Sequence, residues 1–341
     1  MGQLAKEYEI NGHAGFISVN QVYLVVFKPS LMAEIFGKVH NKTEAFIVGK
    51  ELLGSSLIFS DFNEWKVKRK QLKCLMPSKC LKEYIKIANV LVNELIGNVN
   101  LQSDENTATV IGIPHDAISK RDEYLKKIAV LKNKFPIMIA LNLLVSLFSN
   151  YRIGTGKCLK TTLEEVQHFT KNAIAFRQKQ LSQSLYDTIL DNLSKIKEKD
   201  SSLSDDDILG EVDSLIPATL SGITVTLQWL ILVVGNHPQV QQKLRTELMQ
   251  VVGDRHREIS IKDLSNLKYT DWVIKETLRL FPAVHTIIRR AETDFNFEGH
   301  RYAKNTVAAL LVFESHRDKQ TFENANEFIP ERFEDTKLNS A

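Results

Sequence analysis

The stretch Lys268-Tyr-Thr-Asp-Trp-Val-Ile-Lys-Glu-Thr-Leu-Arg-Leu-Phe-Pro282 fixes a helix, a charge pair and a stop. Val273, Ile274, Leu278 and Phe281 recur at helical spacing, and Pro282, with no N–H to donate, predicts an end just before it. Glu276 and Arg279 are three residues apart on one face, the acid N-terminal to its basic partner as the helix dipole prefers. An arbitrary Glu-x-x-Arg is most often an exposed ion pair worth a few tenths of a kcal/mol. The company it keeps argues for more. Downstream, the mostly apolar run from Thr306 to Glu314 is followed by His316-Arg317-Asp318 and then by Phe328-Ile-Pro-Glu-Arg-Phe333. A second guanidinium at Arg332 would close a cluster of one Glu and two Arg, whose planar forks suit a bidentate hold on a partly buried carboxylate.

The chain has 341 residues, 43% hydrophobic and 25% charged, with a formal net charge of +3. That composition belongs to a globular protein with ample length for a core and excludes a disordered chain. No Pro- or Gly-rich linker divides it, so residues 1–341 are expected to form one large, mostly helical unit. The 44 basic residues nearly balance the 41 acidic ones, and the Lys-rich run from Lys66 to Lys73 reads as a solvated helix face, so no nucleic-acid partner is expected. Cys74, Cys80 and Cys158 form no close pair of the zinc or redox kind, which suits a cytosol-facing chain. The first residues show neither a signal pattern nor an apolar run long enough to span a bilayer, and Lys6 stands where myristoylation wants Ser or Thr.

Gly15 to Phe27 is β-rich with a polar break, a hairpin pattern, and Pro29 opens a helix. Ser60 is the expected cap of a helix running to about Leu75, with Glu64 in its first turn. Trp65 and Arg69, four apart on that helix, can offer an indole N–H and a guanidinium to one anion; the blander reading is a core Trp beside a surface Arg. The run Phe135 to Phe148 is too short and too polar at its ends for a membrane span and reads as a buried or surface-dipping helix. Ser204-Asp-Asp-Asp207 starts a helix that can reach Gly235, about 30 residues or about 45 Å, interrupted by Pro217. Ile208, Val212, Leu215, Ile216 and Leu220 share a face and Trp229 to Val234 are apolar nearly all round, so this helix is expected to be central and buried. His237-Pro238 starts another, with Val240, Leu244, Leu248 and Val251 on one side.

In this order, the hairpin, Trp65 and Arg69, the acid-capped long helix, His237-Pro238, Glu276 and Arg279, Arg289 and Pro330 to Phe333 resemble the cytochrome P450 family. Leu53-Gly54, Glu211-Val-Asp213 and His316-Arg317-Asp318 look most like the branch that includes fatty-acid omega-hydroxylases and related insect-type enzymes. The resemblance implies a mainly α cytochrome P450 fold with a small β-sheet portion. It also implies a haem-thiolate monooxygenase that inserts oxygen into an apolar small-molecule substrate. NADPH-cytochrome P450 reductase would be its partner and the cytosolic face of the endoplasmic reticulum membrane its location. By the same resemblance Trp65, Arg69 and Arg289 bind the haem propionates, and Glu276, Arg279 and Arg332 hold the fold beneath the haem.

Two departures stand out. The family's axial cysteine follows the Pro-Glu-Arg-Phe segment, and the eight residues after Phe333 contain none. Cys158 has Gly154 four residues before it, but Gly156 and Lys160 stand where the family's loop has Arg and Gly, so it reads as an ordinary cysteine and no metal ligand is expected. The family's oxygen-side Ala-Gly-x-Asp/Glu-Thr-Thr aligns with Ala218-Thr-Leu-Ser221-Gly222-Ile223, which lacks the acid and both threonines; Ser221 or Thr224 could hold a water, or simply bond its own helix. Residues 1–341 are therefore expected to be an incomplete cytochrome P450 domain, without anchor or haem-cysteine loop, and inactive alone. The alternative expectation is a non-catalytic binding or regulatory remnant, and a third is a chain with no stable fold.

Overall fold

The structure is a computed structural model that describes residues 12–18, 21–43, 46, 49–50, 54, 56–74, 81–82, 84–86, 88–90, 92–93, 155–180, 189–199, 203–253 and 257–334. The run 135–148 and Cys80 lie outside the described residues. The chain divides into two compact units, Met1–Thr43 with Ser221–Ala341, and Glu44–Leu220.

The first unit is built on a four-stranded sheet in the order β1 (His13–Ser18), β2 (Gln21–Val26), β6 (Val307–Leu310), β3 (Ile287–Arg290). The expected hairpin is there: β1 pairs antiparallel with β2, from His13 opposite Val26 to Ser18 opposite Gln21. β6 lies parallel to β2 and antiparallel to β3, with Arg289 opposite Ala308. Because β6 is buried along its whole length, it needs side chains that tolerate burial on both faces, which is why Val307-Ala-Ala-Leu310 is a continuous apolar run. Leu24, Val26, Ala308 and Leu310 meet Met32, Ile35 and Val39 on one side of the sheet; Val25, Phe27, Ala309 and Leu311 form the other layer. Helix α1 (Pro29–Phe36) supplies Met32 and Ile35, with Pro29 where a helix lacks a bonded N–H anyway. A two-stranded hairpin, β4 (Phe295–Phe297) and β5 (His300–Tyr302), turns at Glu298 and Gly299, both at positive φ (47° and 74°) as a two-residue loop requires.

In the second unit, helix α2 (Phe62–Gln71) is followed by a 3-10 turn, Leu72–Cys74. Its cap is Asp61, whose carboxylate accepts the Glu64 N–H at 3.0 Å. The expected cap, Ser60, is instead fully buried and donates its hydroxyl to the Ser56 carbonyl at 2.6 Å. Helices α3 (Thr155–Gln180) and α4 (Ile189–Lys199) join the start of α5 (Asp205–Asn236), and Leu72, Leu193, Leu203 and Ile208 form the core between them.

Helix α5 runs unbroken through Pro217. Ser204 closes a reciprocal cap: its hydroxyl accepts the Asp207 N–H at 3.1 Å and its own N–H donates to the Asp207 carboxylate at 3.0 Å. Ile208, Leu209, Glu211, Asp213 and Ser214 are buried, but Ile223, Leu227, Trp229, Ile231 and Leu232 are exposed, which corrects the expectation of burial along the whole length. Among the described residues, the distal half is covered on one side only, where Val233 is buried and Trp229 stacks on Phe281 at 4.2 Å.

Helix α6 (Pro238–Val251) buries Val240 but leaves Leu248 exposed. After α7 (Ile261–Asn266), helix α8 (Lys268–Leu280) ends with Phe281 as its cap, just before Pro282. Its buried residues are Val273, Glu276, Thr277, Arg279 and Leu280, whereas Ile274 and Leu278 are more than a third exposed. The buried charges, rather than a plain apolar stripe, set the rotation of this helix.

Candidate functional site

Glu276, fully buried, accepts Arg279 Nε at 2.7 Å and Nη2 at 2.8 Å, the paired contact that only a guanidinium fork can make. Arg332 Nε, from the 3-10 turn Pro330–Glu334, adds a bond at 3.0 Å, and the Ile329 N–H one at 2.9 Å. The remaining donors go to carbonyls: Arg279 reaches His316 and Ala325, both at 2.7 Å, and Arg332 reaches Glu323 at 2.8 Å. One carboxylate thus fastens α8 to the irregular chain from His316 to Arg332. Arg317, which the sequence offered only as part of a tripeptide, lies over the Phe313 ring at 3.6 Å and donates to the Leu280 carbonyl at 2.5 Å.

Trp65 and Arg69 share a face of α2, Trp65 half-buried with Phe62 stacked 6.0 Å away and Arg69 exposed. Between them stands a residue that the sequence reading assigned to a solvated face. Lys68 is buried, and its ammonium meets Asp207 at 2.8 Å and Glu211 at 3.8 Å. Glu211 is held in turn by the Leu57 N–H at 2.8 Å. The Lys68 bond holds the Asp207 carboxyl below its ordinary range against the opposing effect of burial, while burial pushes Glu211 up. The other lysines of the run, Lys66, Lys70 and Lys73, are exposed as expected.

Arg289, on β3 in the other unit, has its guanidinium partly desolvated, which pulls its pKa down. Its Nη1 donates to the adjacent Ile288 carbonyl at 2.9 Å, so among the described residues most of its fork is left for an anion. On α5, Ala218 is exposed while Ser221 and Gly222 are half-buried. A Cβ added at Gly222 would meet no described atom within 4 Å, so the helix is open on that side, and the nearby Thr226 hydroxyl donates back to the Gly222 carbonyl at 2.8 Å. Asp213 figures in the sequence only as part of Glu211-Val-Asp213. It is 1% exposed, both carboxyl oxygens lack a hydrogen-bond partner among the described residues, and burial raises its pKa to about 6. Thr170 and Lys171 temper that rise, but the Thr170 hydroxyl is donated to the Val166 carbonyl at 3.1 Å. Its signal was there in hindsight: an acid one turn before Pro217, on the face of Leu209 and Leu220.

The profile of the family described as Cytochrome P450 matches residues 1–341. The chain is 29% identical to cytochrome P450 4V2 of Mus musculus over 314 residues, and 30% identical to that of Pongo abelii, each match covering 82% of the chain. Cytochrome P450 4d8 of Drosophila melanogaster is 28% identical over 83% of the chain. The chain spans about 60% of the length of the 4V2 relatives and 70% of the fly protein. A zebrafish cytochrome P450 solved with progesterone superposes with a TM-score of 0.76 at 21% identity, over 97% of this chain and 82% of that one, a likeness of fold. The mainly α architecture with its small sheets, and a family match running from the first residue to the last, lead to one conclusion: this chain belongs to the cytochrome P450 family.

Proposed function

We propose that the chain is a haem-binding scaffold of the monooxygenase kind, acting on an apolar small molecule with electrons from NADPH-cytochrome P450 reductase at the cytosolic face of the endoplasmic reticulum membrane. The observation that carries the haem part is the Trp65 indole and Arg69 guanidinium on one helical face; in the other unit the partly desolvated Arg289 fork has most of its donors left over among the described residues. Each of these donor groups, Trp65 with Arg69 in one unit and Arg289 in the other, suits a haem propionate, which is anionic and wants N–H donors. When bound, haem supplies the oxygen-activating chemistry, and the protein supplies binding, orientation and exclusion of water. Glu276, Arg279 and Arg332 act at one remove, by holding α8 and the turn at Pro330 as one piece.

The axial ligand is not among the residues we assign. Cys74 closes the turn after α2 and Cys158 sits in the first turn of α3, and neither stands after the Pro-Glu-Arg-Phe segment. The oxygen side is also altered, with Ser221 and Gly222 where the family has acid and threonine. The oxygen-side substitutions favour a second reading: a non-catalytic member of the fold that binds haem or an apolar ligand without turning it over.

A hemin titration followed by tryptophan quenching tests the first reading. Trp65→Phe and Arg69→Ala are each expected to weaken hemin binding severalfold, and unchanged affinity in both would sink the propionate assignment. Turnover of lauric acid with reductase and NADPH decides the second; product above a no-enzyme control would show that residues 1–341 are catalytic.

A further inference from the structure

Helix α2 carries both proposed propionate donors, and its own apolar side chains, Phe62 and Trp65, are only half-buried; the buried Leu72 follows it in the 3-10 turn. Its buried residue is a lysine, and its one branched aliphatic side chain, Val67, is 59% exposed. Amphipathic helices normally take their rotation from the apolar stripe. Here the ordinary preference is inverted: turning α2 by one residue, about 100°, would bury Val67 and expose Lys68. Together with the buried Leu72, what opposes that turn is the Lys68 ammonium, 2.8 Å from Asp207 and 3.8 Å from Glu211 in the first turns of α5. Both acids are themselves fixed, Asp207 by the Ser204 hydroxyl at 2.6 Å and Glu211 by the Leu57 N–H at 2.8 Å. A buried charge left without its partner is costly, so the pair tolerates one rotation only.

We infer that Lys68 is a positioning residue: its ion pair with Asp207 and Glu211 sets the rotation of α2, and thereby the direction in which Trp65 and Arg69 present their donors. The inference rests on the propionate reading above. Lys68 touches no cofactor and acts through its helix. Since Lys68 lies one residue before Arg69 and three after Trp65, a one-residue turn would carry both donors off the anion together. Any anion bound by that pair therefore feels the loss of Lys68 as the loss of both.

The test is a hemin titration of the full 341-residue chain and of Lys68→Met, Lys68→Arg, Asp207→Asn and Arg69→Ala, read by tryptophan quenching and by the Soret circular dichroism of the bound pigment. Lys68→Met is expected to weaken binding about tenfold, the scale of lost support behind a ligating group, and to change the sign or size of the Soret signal. Lys68→Arg should restore both, and Asp207→Asn should reproduce part of the loss without emptying the buried site. In a Trp65→Phe/Arg69→Ala background Lys68→Met should add little, because both groups it aims are gone. Leu193→Ala, a cavity in the core of the same unit, serves as the control for a merely structural role; it should lower the melting temperature and leave hemin affinity unchanged well below the melt. Equal losses in Lys68→Met and Leu193→Ala would overturn the inference, as would unchanged binding in Lys68→Met with weakened binding in Arg69→Ala. Unchanged binding in Arg69→Ala and Trp65→Phe would overturn the propionate reading itself, and this inference with it.

Discussion

At Glu276 a single carboxylate with no exposure accepts four hydrogen bonds, three of them from two guanidiniums. Removing the charge leaves Arg279 and Arg332 buried without a counter-ion, the case in which breaking a buried pair costs about 3–5 kcal/mol. Against a typical total stability of about 5–15 kcal/mol, Glu276→Gln should move the urea midpoint far down; an unchanged midpoint would remove the cluster from the fold's support. Asp213 makes the opposite case. Its carboxyl holds a proton up to about pH 6 in the folded chain, against an ordinary value near 3.8 once unfolded. Between those values the folded state binds more protons, so stability falls as pH rises through the window and stays lowered above it. The loss amounts to roughly 2–3 kcal/mol, and Asp213→Asn should recover it: more stable than the parent at pH 7.5, nearly equal at pH 4. Urea midpoints at the two pH values check this, and a variant less stable at pH 7.5 would mean that the carboxylate is partnered. Glu276 could be read in the sequence because its two partners stand at a spacing and in a motif. For Asp213 the sequence shows only an acid on an apolar helix face; that its carboxyl lacks a partner among the described residues is visible only when the surrounding helices are in place.

At the scale of elements, the starts and stops written in local chemistry are where the sequence puts them: Pro29 opening α1, Ser204 before α5, Pro238 opening α6 and Pro282 after α8. Ser60 was misread because Asp61, one residue on, is an equally good cap, and the Ser60 hydroxyl had a carbonyl within reach. The rotation of helices was less legible. Both α2 and α8 bury charge and leave aliphatic side chains exposed: Val67 in α2, and Ile274 and Leu278 in α8, where Val273 of the same apolar pattern is buried. For α5 the cap is the device to test. Ser204→Ala removes the hydroxyl that accepts the Asp207 N–H and frees the Asp207 side chain that also holds Lys68. A lost cap costs about 1 kcal/mol, and the buried Lys68 pair should make this loss exceed that of Ser260→Ala, whose similar cap on α7 involves Asp263 paired with the exposed Arg257. Equal losses in thermal melts would show that the cap and the ion pair are independent.

On the scale of the whole molecule, the order of segments along the chain carried the family assignment, because strand, caps, ion pairs and prolines recur in one sequence order that no single motif encodes. What that order did not contain is which surfaces end up covered. The distal half of α5 places Ile223, Leu227 and Ile231 at intervals of four, on one stripe, and all three are exposed, Ile231 by 67%. Helix α5 is long and apolar enough to cross a membrane by length and composition, a test that the core helix of a water-soluble protein passes as well. A continuous apolar stripe on a soluble surface favours self-association and dye binding. Replacing all three residues by Gln, which keeps helix propensity nearly intact, should therefore lower the fluorescence of bound anilinonaphthalene sulfonate and shift the 341-residue chain towards monomer in light scattering. Far-UV circular dichroism should be unchanged, because the substituted side chains are all exposed and Gln suits a helix. If the dye signal and the oligomeric state both stay as they were, the stripe is covered in solution, and the exposure of α5 would not describe the molecule as it exists in water.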